Sequence, residues 1–406
     1  MASFTVPDLP WERTAFSELH LAARKWLADE MTAIGLETRL DAAANLIGSR
    51  SGTNNRLKTI ATGSHSDTVP SGGRFDGVVG VIVGLEIAQA LGDAGHRLSH
   101  TLEVIDFLAE EPNKYGLSCV GSRAMSGALD ARMLNYRASD GTTLADGIAY
   151  MGGSPDALGS PLRLGGELAA FLEVHIEQAR VLEASGDDIG AVTAIAGIER
   201  LEVSVVGRAD HAGATPMGLR EDALTAAAAM VLCIEAKAKA ETSSALVATV
   251  GKLNVLPNAA NAVPEKVRFT LEARSNSSEA LSNYVGWSRQ QFADIAMERG
   301  LRVEVQPISR SEPVKMAPAL QGLIRLAAGD RGYKHRAMFS GAGHDAAYMA
   351  RLAPTGMIFI PCLDGRSHCP EEFSSLEQVL VGAQTLLDVL LRLDETNAET
   401  FKFKEG

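Results

Sequence analysis

Cysteine is scarce: Cys119, Cys233, Cys362 and Cys369 are widely spaced over 406 residues and form no Cys-x-x-Cys pair. That argues against a disulfide-built fold, and the four read as reduced thiols of a cytosolic protein, with Cys369 beside His368 placed nearest to any metal chemistry. No apolar run reaches membrane-spanning length, since the Ala-rich stretch from Ala223 to Ala240 is interrupted by Glu235, Lys237 and Lys239. The N-terminus, Met-Ala-Ser-Phe-Thr-Val-Pro, lacks the basic and apolar regions of a secretory signal. Basic charge is in deficit: 38 Lys and Arg against 50 Asp and Glu give a net charge of −12, which argues against nucleic acid or an anionic membrane as partner. A carboxylate substrate remains compatible, because local arginines set the field at a site. Low-complexity tracts and internal repeats are also missing. What is present, 46% hydrophobic and 22% charged residues over a chain long enough for two cores, is ordinary for a globular protein.

Periodicity separates two modules. From the N-terminus to about Gly197, helical stretches (Thr14 to Ile34, Val78 to Ala94) alternate with strands (Thr59 to Gly63, Thr101 to Leu108), as in an α/β domain with a doubly covered, largely parallel sheet. Residues 198–312 read differently: strand Leu201 to Val206, helix Asp222 to Ala240, strands Leu246 to Leu253 and Val267 to Ala273, helix Ser278 to Arg299 and strand Leu301 to Pro307. That βαββαβ order is the ferredoxin-like pattern of an inserted α+β domain. Residues 1–197 and 313–406 then form the larger domain, which ends in a helix from Leu376 to Leu393.

Chemistry-bearing residues gather in polar breaks beside apolar runs. His65 and Asp76 lie in Gly63-Ser-His-Ser-Asp-Thr-Val-Pro-Ser-Gly-Gly-Arg-Phe-Asp-Gly77, a strand-to-helix turn of the kind that binds ligands at the edge of an α/β sheet. Glu110 and Glu111 end the run Thr101 to Ala109, and as neighbours on an extended chain they would point opposite ways: one toward a metal, one toward water. His175 ends another apolar run, and His368 follows a fourth. Imidazole with carboxylate suits zinc, manganese or nickel better than calcium. A single histidine at a strand end is ordinarily structural, but a buried Glu-Glu pair needs a partner, and a metal supplies it. His20, His96, His100 and His335 read as surface or structural, and Gly341-Ala-Gly343 lacks the full phosphate-loop fingerprint.

With these motifs the chain resembles the M20 family of metal-dependent peptidases and amidases, in particular its carbamoylase branch: hydantoinase/carbamoylase-type amidases, including N-carbamoyl-L-amino-acid hydrolases, allantoate amidohydrolases and β-ureidopropionases. The resemblance also rests on Gly121-Ser-Arg123, His175-Ile-Glu-Gln178, Ala209-Asp-His-Ala-Gly-Ala-Thr-Pro-Met217, Pro257-Asn-Ala-Ala-Asn-Ala-Val263, Ser340-Gly-Ala-Gly-His-Asp345 and Ser367-His-Cys-Pro370. It implies two divalent metal ions (Zn, Mn, Ni or Co) bridged by Asp76, with Glu111 and His368 completing one site and His65 and His175 the other. It makes Glu110 the general base and Asp67 the carboxylate that fixes the His65 tautomer. His211 would polarise the scissile carbonyl, Asn261 and Arg274 would hold a substrate carboxylate, and Gln178, Gly343 and His344 would complete the substrate site. A histidine at position 175, where peptidase branches carry a carboxylate, favours ureido or amide substrates.

The resemblance further implies that the inserted domain is a lid and dimerisation domain, that the partners are a small carboxylate-bearing substrate and a second copy of the chain, and that hinges lie near Gly197 and Pro313. N-carbamoyl-L-amino acid hydrolysis leads; allantoate or ureidoglycolate hydrolysis, N-acyl-amino-acid hydrolysis and, from another class, a catalytically silent amino-acid-binding protein are the alternatives. One departure bears on the substrate: Pro112-Asn-Lys-Tyr115 replaces the branch's usual Gly-Ser-Arg-Phe or Gly-Ala-Arg-Phe after the paired glutamates.

Overall fold

The computed structural model describes residues 1–7, 11–241 and 245–395. The chain divides into two compact units, residues 1–193 with 316–406, and residues 194–315. The observed joints enlarge the second unit at both ends relative to the pattern-based boundaries at 197/198 and 312/313. The reason is that Val314 and Lys315 pair with Ile195 and Ala194, so both stretches join the second unit.

The first unit is built on strands β1 (Glu37–Leu40), β2 (Leu46–Arg50), β3 (Thr59–His65), β4 (Leu102–Phe107), β5 (Leu168–Ile176) and β6 (Ile189–Ile195). The second contains β7 (Gly197–Val206), β8 (Val247–Leu256), β9 (Lys266–Ser275) and β10 (Arg302–Ser311), and the chain then forms β11 (Val314–Lys315), β12 (His335–Ser340) and β13 (Thr355–Ile360). The larger sheet runs β1-β2-β4-β3-β5-β13-β6-β11, with β12 also on β6. Its four central strands, β4, β3, β5 and β13, are parallel, whereas β1, β2, β6 and β11 pair antiparallel. The sheet is thus mixed, with a parallel centre. The central strands are buried except for the partly buried Thr59 and Ala169, as expected for a sheet covered on both faces.

Local chemistry explains the helix ends. The helix Glu18–Ala33 starts four residues later than its pattern, because Phe16 is left-handed (φ 65°) and Ser17 caps the helix, accepting from the His20 amide. Helix Val78–Asp93 is apolar on nearly every side and is correspondingly buried. Its residues pack with Val104, Leu172, Val174, Ile358 and Ile360 into one core, which also takes in the helix Leu376–Glu395.

The second unit follows the strand–helix–strand–strand–helix–strand succession, with its antiparallel sheet in the order β10-β7-β9-β8. Burial alternates along β7 and β9, so one face packs on the helices Ala223–Ala240 and Ser278–Glu298. Asp222 caps the first of these, accepting from Leu224 N and Thr225 N. Among the described residues no helix is long and apolar enough to cross a membrane.

Strand register positions the chemistry. His65 pairs with Phe107, and Phe359 with His175, so the ends of four parallel strands deliver their polar breaks to one edge of the sheet. Gly63 permits this approach, since a Cβ there would lie 2.0 Å from Ile105 O. Gly63→Ala should therefore lower stability by about 1–3 kcal/mol. Gly322→Ala, in helix Pro318–Asp330 with nothing within 4 Å, should be neutral or stabilising. Denaturant titration of both checks the pair, and an unperturbed Gly63→Ala would contradict the close approach.

Candidate active site

Asp76 is the centre of the polar edge. Its Oδ1 lies 3.1 Å from His175 Nε2 and 3.7 Å from His65 Nε2, while its Oδ2 lies 3.0 Å from His368 Nε2. His368 Nε2 is also 3.1 Å from Glu111 Oε1, and His65 Nε2 is 3.7 Å from Glu110 Oε2. Two donor groups consequently share one carboxylate: His65, Asp76 and His175 on one side, Asp76, Glu111 and His368 on the other, each with ligand atoms within 4.8 Å of one another. The donors are imidazole nitrogens and carboxylate oxygens that converge on shared points, a set that fits divalent zinc, manganese, cobalt or nickel.

The electrostatics agree with that fit. Burial opposes charge on His65, yet Asp67, Glu110 and Asp76 outweigh it and push its pKa well up. His175 is raised in the same way, by Asp76 against burial. His368, half-exposed, is raised to about 10 by its hydrogen bonds to Asp76 and Glu111. Burial would raise Asp76, but His175 and His368 hold it well below the carboxylate range. Glu110 differs: burial, reinforced by Glu111 and Asp345, drives it well up despite His65. A carboxyl with that tendency is suited to carrying a proton.

Several supports depart from expectation. The His65 tautomer is set by the backbone carbonyl of Asp67, 3.1 Å from Nδ1, while the Asp67 carboxylate stands 3.6 Å away. Its oxygens instead accept the amides of Glu110 and Glu111, each at 3.2 Å, and so fix both glutamates. Those glutamates do not extend a strand: β4 stops at Phe107, and Ala109 turns left-handed (φ 53°). Gly77 (φ 63°) is required twice over, because a Cβ there would also come 2.3 Å from His65 Nε2. Glu372 has no role in the motif reading, yet it accepts the Phe75 and Asp76 amides at 2.7 and 2.9 Å and the Ser367 hydroxyl at 2.9 Å. It joins the Asp76 turn to the His368 loop. The only sequence signal for it is its place four residues past His368 in a run of two glutamates.

The residues assigned to substrate divide. Gln178 donates from Nε2 to Asp76 Oδ2 at 2.8 Å, which fixes its amide orientation and leaves its buried Oε1 without a protein partner. Gly343 is exposed. His344 is buried, its Nε2 is 2.8 Å from Ser340 Oγ and its ring packs 4.6 Å from His175, so as placed it braces His175 and does not offer that nitrogen to the site. Burial, with the neighbouring His175, depresses its pKa well below the usual range. Glu173, grouped with these two histidines, is already held by Ser64 Oγ at 2.7 Å and Ala346 N at 3.1 Å. Cys369 is half-buried and belongs to none of the donor groups found among the described residues.

In the second unit, His211 Nδ1 accepts from Gly213 N and Ala214 N, both at 3.1 Å. The neutral ring then carries its proton on Nε2, as an exposed donor. Its loop is tied to that of Asn261 by Ala212 N to Asn261 O at 2.9 Å and by the pairing of His211 with Ala262. Arg274 is not a free fork: Nη2 and Nε lie 2.7 and 2.8 Å from Glu272 Oε1, and Arg200 also grips Glu272 at 2.5 Å. The departure at 112–115 turns outward. Lys114 pairs with Asp140 at 3.1 Å on the surface, Asn113 binds its own loop, and Tyr115 is buried against Phe16. His20, read as surface or structural, is fully buried with neither ring nitrogen partnered.

The model of peptidase family M20/M25/M40 matches residues 61–392. An N-carbamoyl-L-amino-acid amidohydrolase of Paenarthrobacter aurescens is 38% identical over 383 residues, 94% of this chain and 93% of that protein. A ureidoglycolate hydrolase of Arabidopsis thaliana is 37% identical over 406 residues, 97% of this chain and 84% of that protein. A solved hydantoinase/carbamoylase family amidase from Burkholderia multivorans superposes with a TM-score of 0.90 at 34% identity, covering 96% of this chain and 93% of that one. The chain therefore belongs to peptidase family M20/M25/M40, on its hydantoinase/carbamoylase branch.

Proposed function

We propose that this chain is a two-metal amidohydrolase that cleaves the linear amide or ureido C–N bond of a carboxylate-bearing small molecule, with N-carbamoyl-L-amino acids as the leading substrate class. The observation that carries the reading is the division of Asp76, whose two oxygens face separate imidazoles while Glu110 stands beside them. His65, Asp76 and His175 would hold one ion, and Asp76, Glu111 and His368 the other. When bound, the ions supply Lewis acidity, polarising the scissile carbonyl and making water more acidic. Glu110 Oε2 takes the proton of the attacking water and returns it to the leaving nitrogen. Gln178 Oε1, buried and unpartnered, is an acceptor for a substrate N–H. His211 Nε2–H serves the carbonyl oxygen, where negative charge develops.

The second unit acts in this reading as lid and dimerisation domain of a homodimer, with His211 reaching the partner's site. Arg274 holds the substrate carboxylate by exchanging part of its pairing with Glu272. Ureidoglycolate or allantoate is the second substrate reading. It is favoured by relatives of nearly equal identity, the Arabidopsis thaliana ureidoglycolate hydrolase at 37% and a Bacillus subtilis allantoate amidohydrolase at 33%. Metal-loaded protein assayed in parallel on carbamoyl-, ureido- and acyl-substrates, following ammonia and free amino acid, decides among them. No turnover of any class would sink the proposal.

Exhaustive chelation should abolish activity, and zinc, manganese, cobalt or nickel should restore it. His368, raised to about 10, carries a proton below that pH, and a metal must displace it. Affinity should accordingly rise from about pH 6 to pH 9, with proton release seen by calorimetry in buffers of different ionisation heat. Affinity falling with pH would contradict the ligand set.

Glu110→Gln should retain metal and lose roughly a hundredfold or more in turnover, as for a general base. Glu111→Gln should instead lose metal, and metal analysis showing the reverse would exchange the two roles.

His211→Ala should cost turnover about a hundredfold or more, the scale of a lost oxyanion donor. Arg274→Ala should chiefly raise KM, with Arg274→Lys impaired as well because it loses the fork. Mixing inactive Glu110→Gln with inactive His211→Ala should recover part of the activity in hybrid dimers. No recovery, with subunit exchange shown independently, would place His211 in its own chain's site.

A further inference from the structure

We infer that Cys119 is a positioning residue for the reaction: its thiol holds one oxygen of Glu110 and so assigns proton handling to the other. The inference rests on Glu110 being the base. Cys119 Sγ donates to Glu110 Oε1 at 3.2 Å, while Oε2 is the oxygen that faces His65 Nε2. The thiol is buried, so no water competes for the carboxylate from that side.

Backbone geometry makes this contact specific. The Cys119 amide donates to the Glu110 carbonyl at 2.8 Å, and the next two amides, of Val120 and Gly121, reach Ala109 O at 3.0 Å and Leu108 O at 2.8 Å. Residues 119–121 are thereby strapped along residues 108–110. Both halves of the strap contain a non-glycine residue in the left-handed region, Ala109 (φ 53°) and Cys119 (φ 55°), a conformation held only where the surroundings demand it. Asp67 Oδ1 accepts the Glu110 amide at 3.2 Å. Glu110 is consequently fixed at its amide, its carbonyl and one carboxylate oxygen, and Cys119 provides two of the three.

A thiol suits the task better than a hydroxyl. S–H is a weak donor, so it orients the oxygen it touches while withdrawing little of the charge the base needs. Burial, together with Glu110 alongside, pushes the Cys119 pKa well up, so the S–H keeps its proton.

The test compares Cys119→Ala with Cys119→Ser. Alanine should lower kcat about five- to tenfold, the scale of one modest hydrogen bond, with KM and metal content unchanged. Serine, which restores a donor, should recover most of that loss. A second readout needs no turnover: the infrared S–H band that disappears in Cys119→Ser should lie below the position of a free thiol, and Glu110→Ala should move it up. Parental kcat in Cys119→Ala, equal impairment of Ala and Ser, or a band indifferent to Glu110→Ala would overturn the inference. If Glu110→Gln itself retained turnover, the reading of the site would fail, whereas a dead Glu110→Gln beside a fully active Cys119→Ala removes the role of Cys119 alone.

Discussion

A carboxylate buried among imidazoles is the constraint on which the rest of this structure depends. Asp76 is almost inaccessible, and an ionised carboxyl in that position is costly unless each oxygen is matched. Here both oxygens are matched, one by His65 and His175, the other by His368 and Gln178. Those partners come from the ends of two strands, β3 and β5, and from one distant loop. The parallel centre of the sheet, the strand register and the glycines that let chains approach are the means of bringing them to one point.

The supports around this centre share a logic. Asp67 uses its carbonyl to orient His65 and its carboxylate to hold the amides of Glu110 and Glu111. Glu372 takes the amides of Phe75 and Asp76 while binding Ser367 beside His368. In each case a buried carboxylate satisfies backbone donors that a tight loop cannot pair by itself, and that pairing restrains a functional residue next to the loop. His368 is itself left-handed (φ 57°), as is Gln178 (φ 59°), so local strain is concentrated where the donors are aimed.

Much of the architecture was legible in the amino-acid order. The helix Val78–Asp93, the helix Ala223–Ala240 with its Asp222 cap, and the strand–helix–strand–strand–helix–strand run of the second unit all follow from periodicity and capping residues. The short strands Glu37–Leu40 and Leu46–Arg50 escaped, because β1 is a mostly exposed edge with no buried face to impose an alternation. The antiparallel flanks of the sheet escaped for a related reason: pairing direction is decided by connections, and alternating burial looks the same either way.

At the site the same division holds. The sequence by itself determined which candidate donors exist and that each lies in a polar break beside an apolar run, since hydrophobic pattern and local polarity are properties of neighbouring residues. Tertiary structure alone decided which oxygen of Asp76 meets which imidazole and that Glu372 reaches across 296 positions to the Asp76 amide. It also decided that His344 braces His175 and that Arg274 is held by Glu272. It placed the Cys119 thiol on Glu110, nine positions away, by folding the intervening loop back on itself. These outcomes depend on strand register and on loops folded against one another, and no local periodicity encodes the distance between atoms that the chain brings together only by folding.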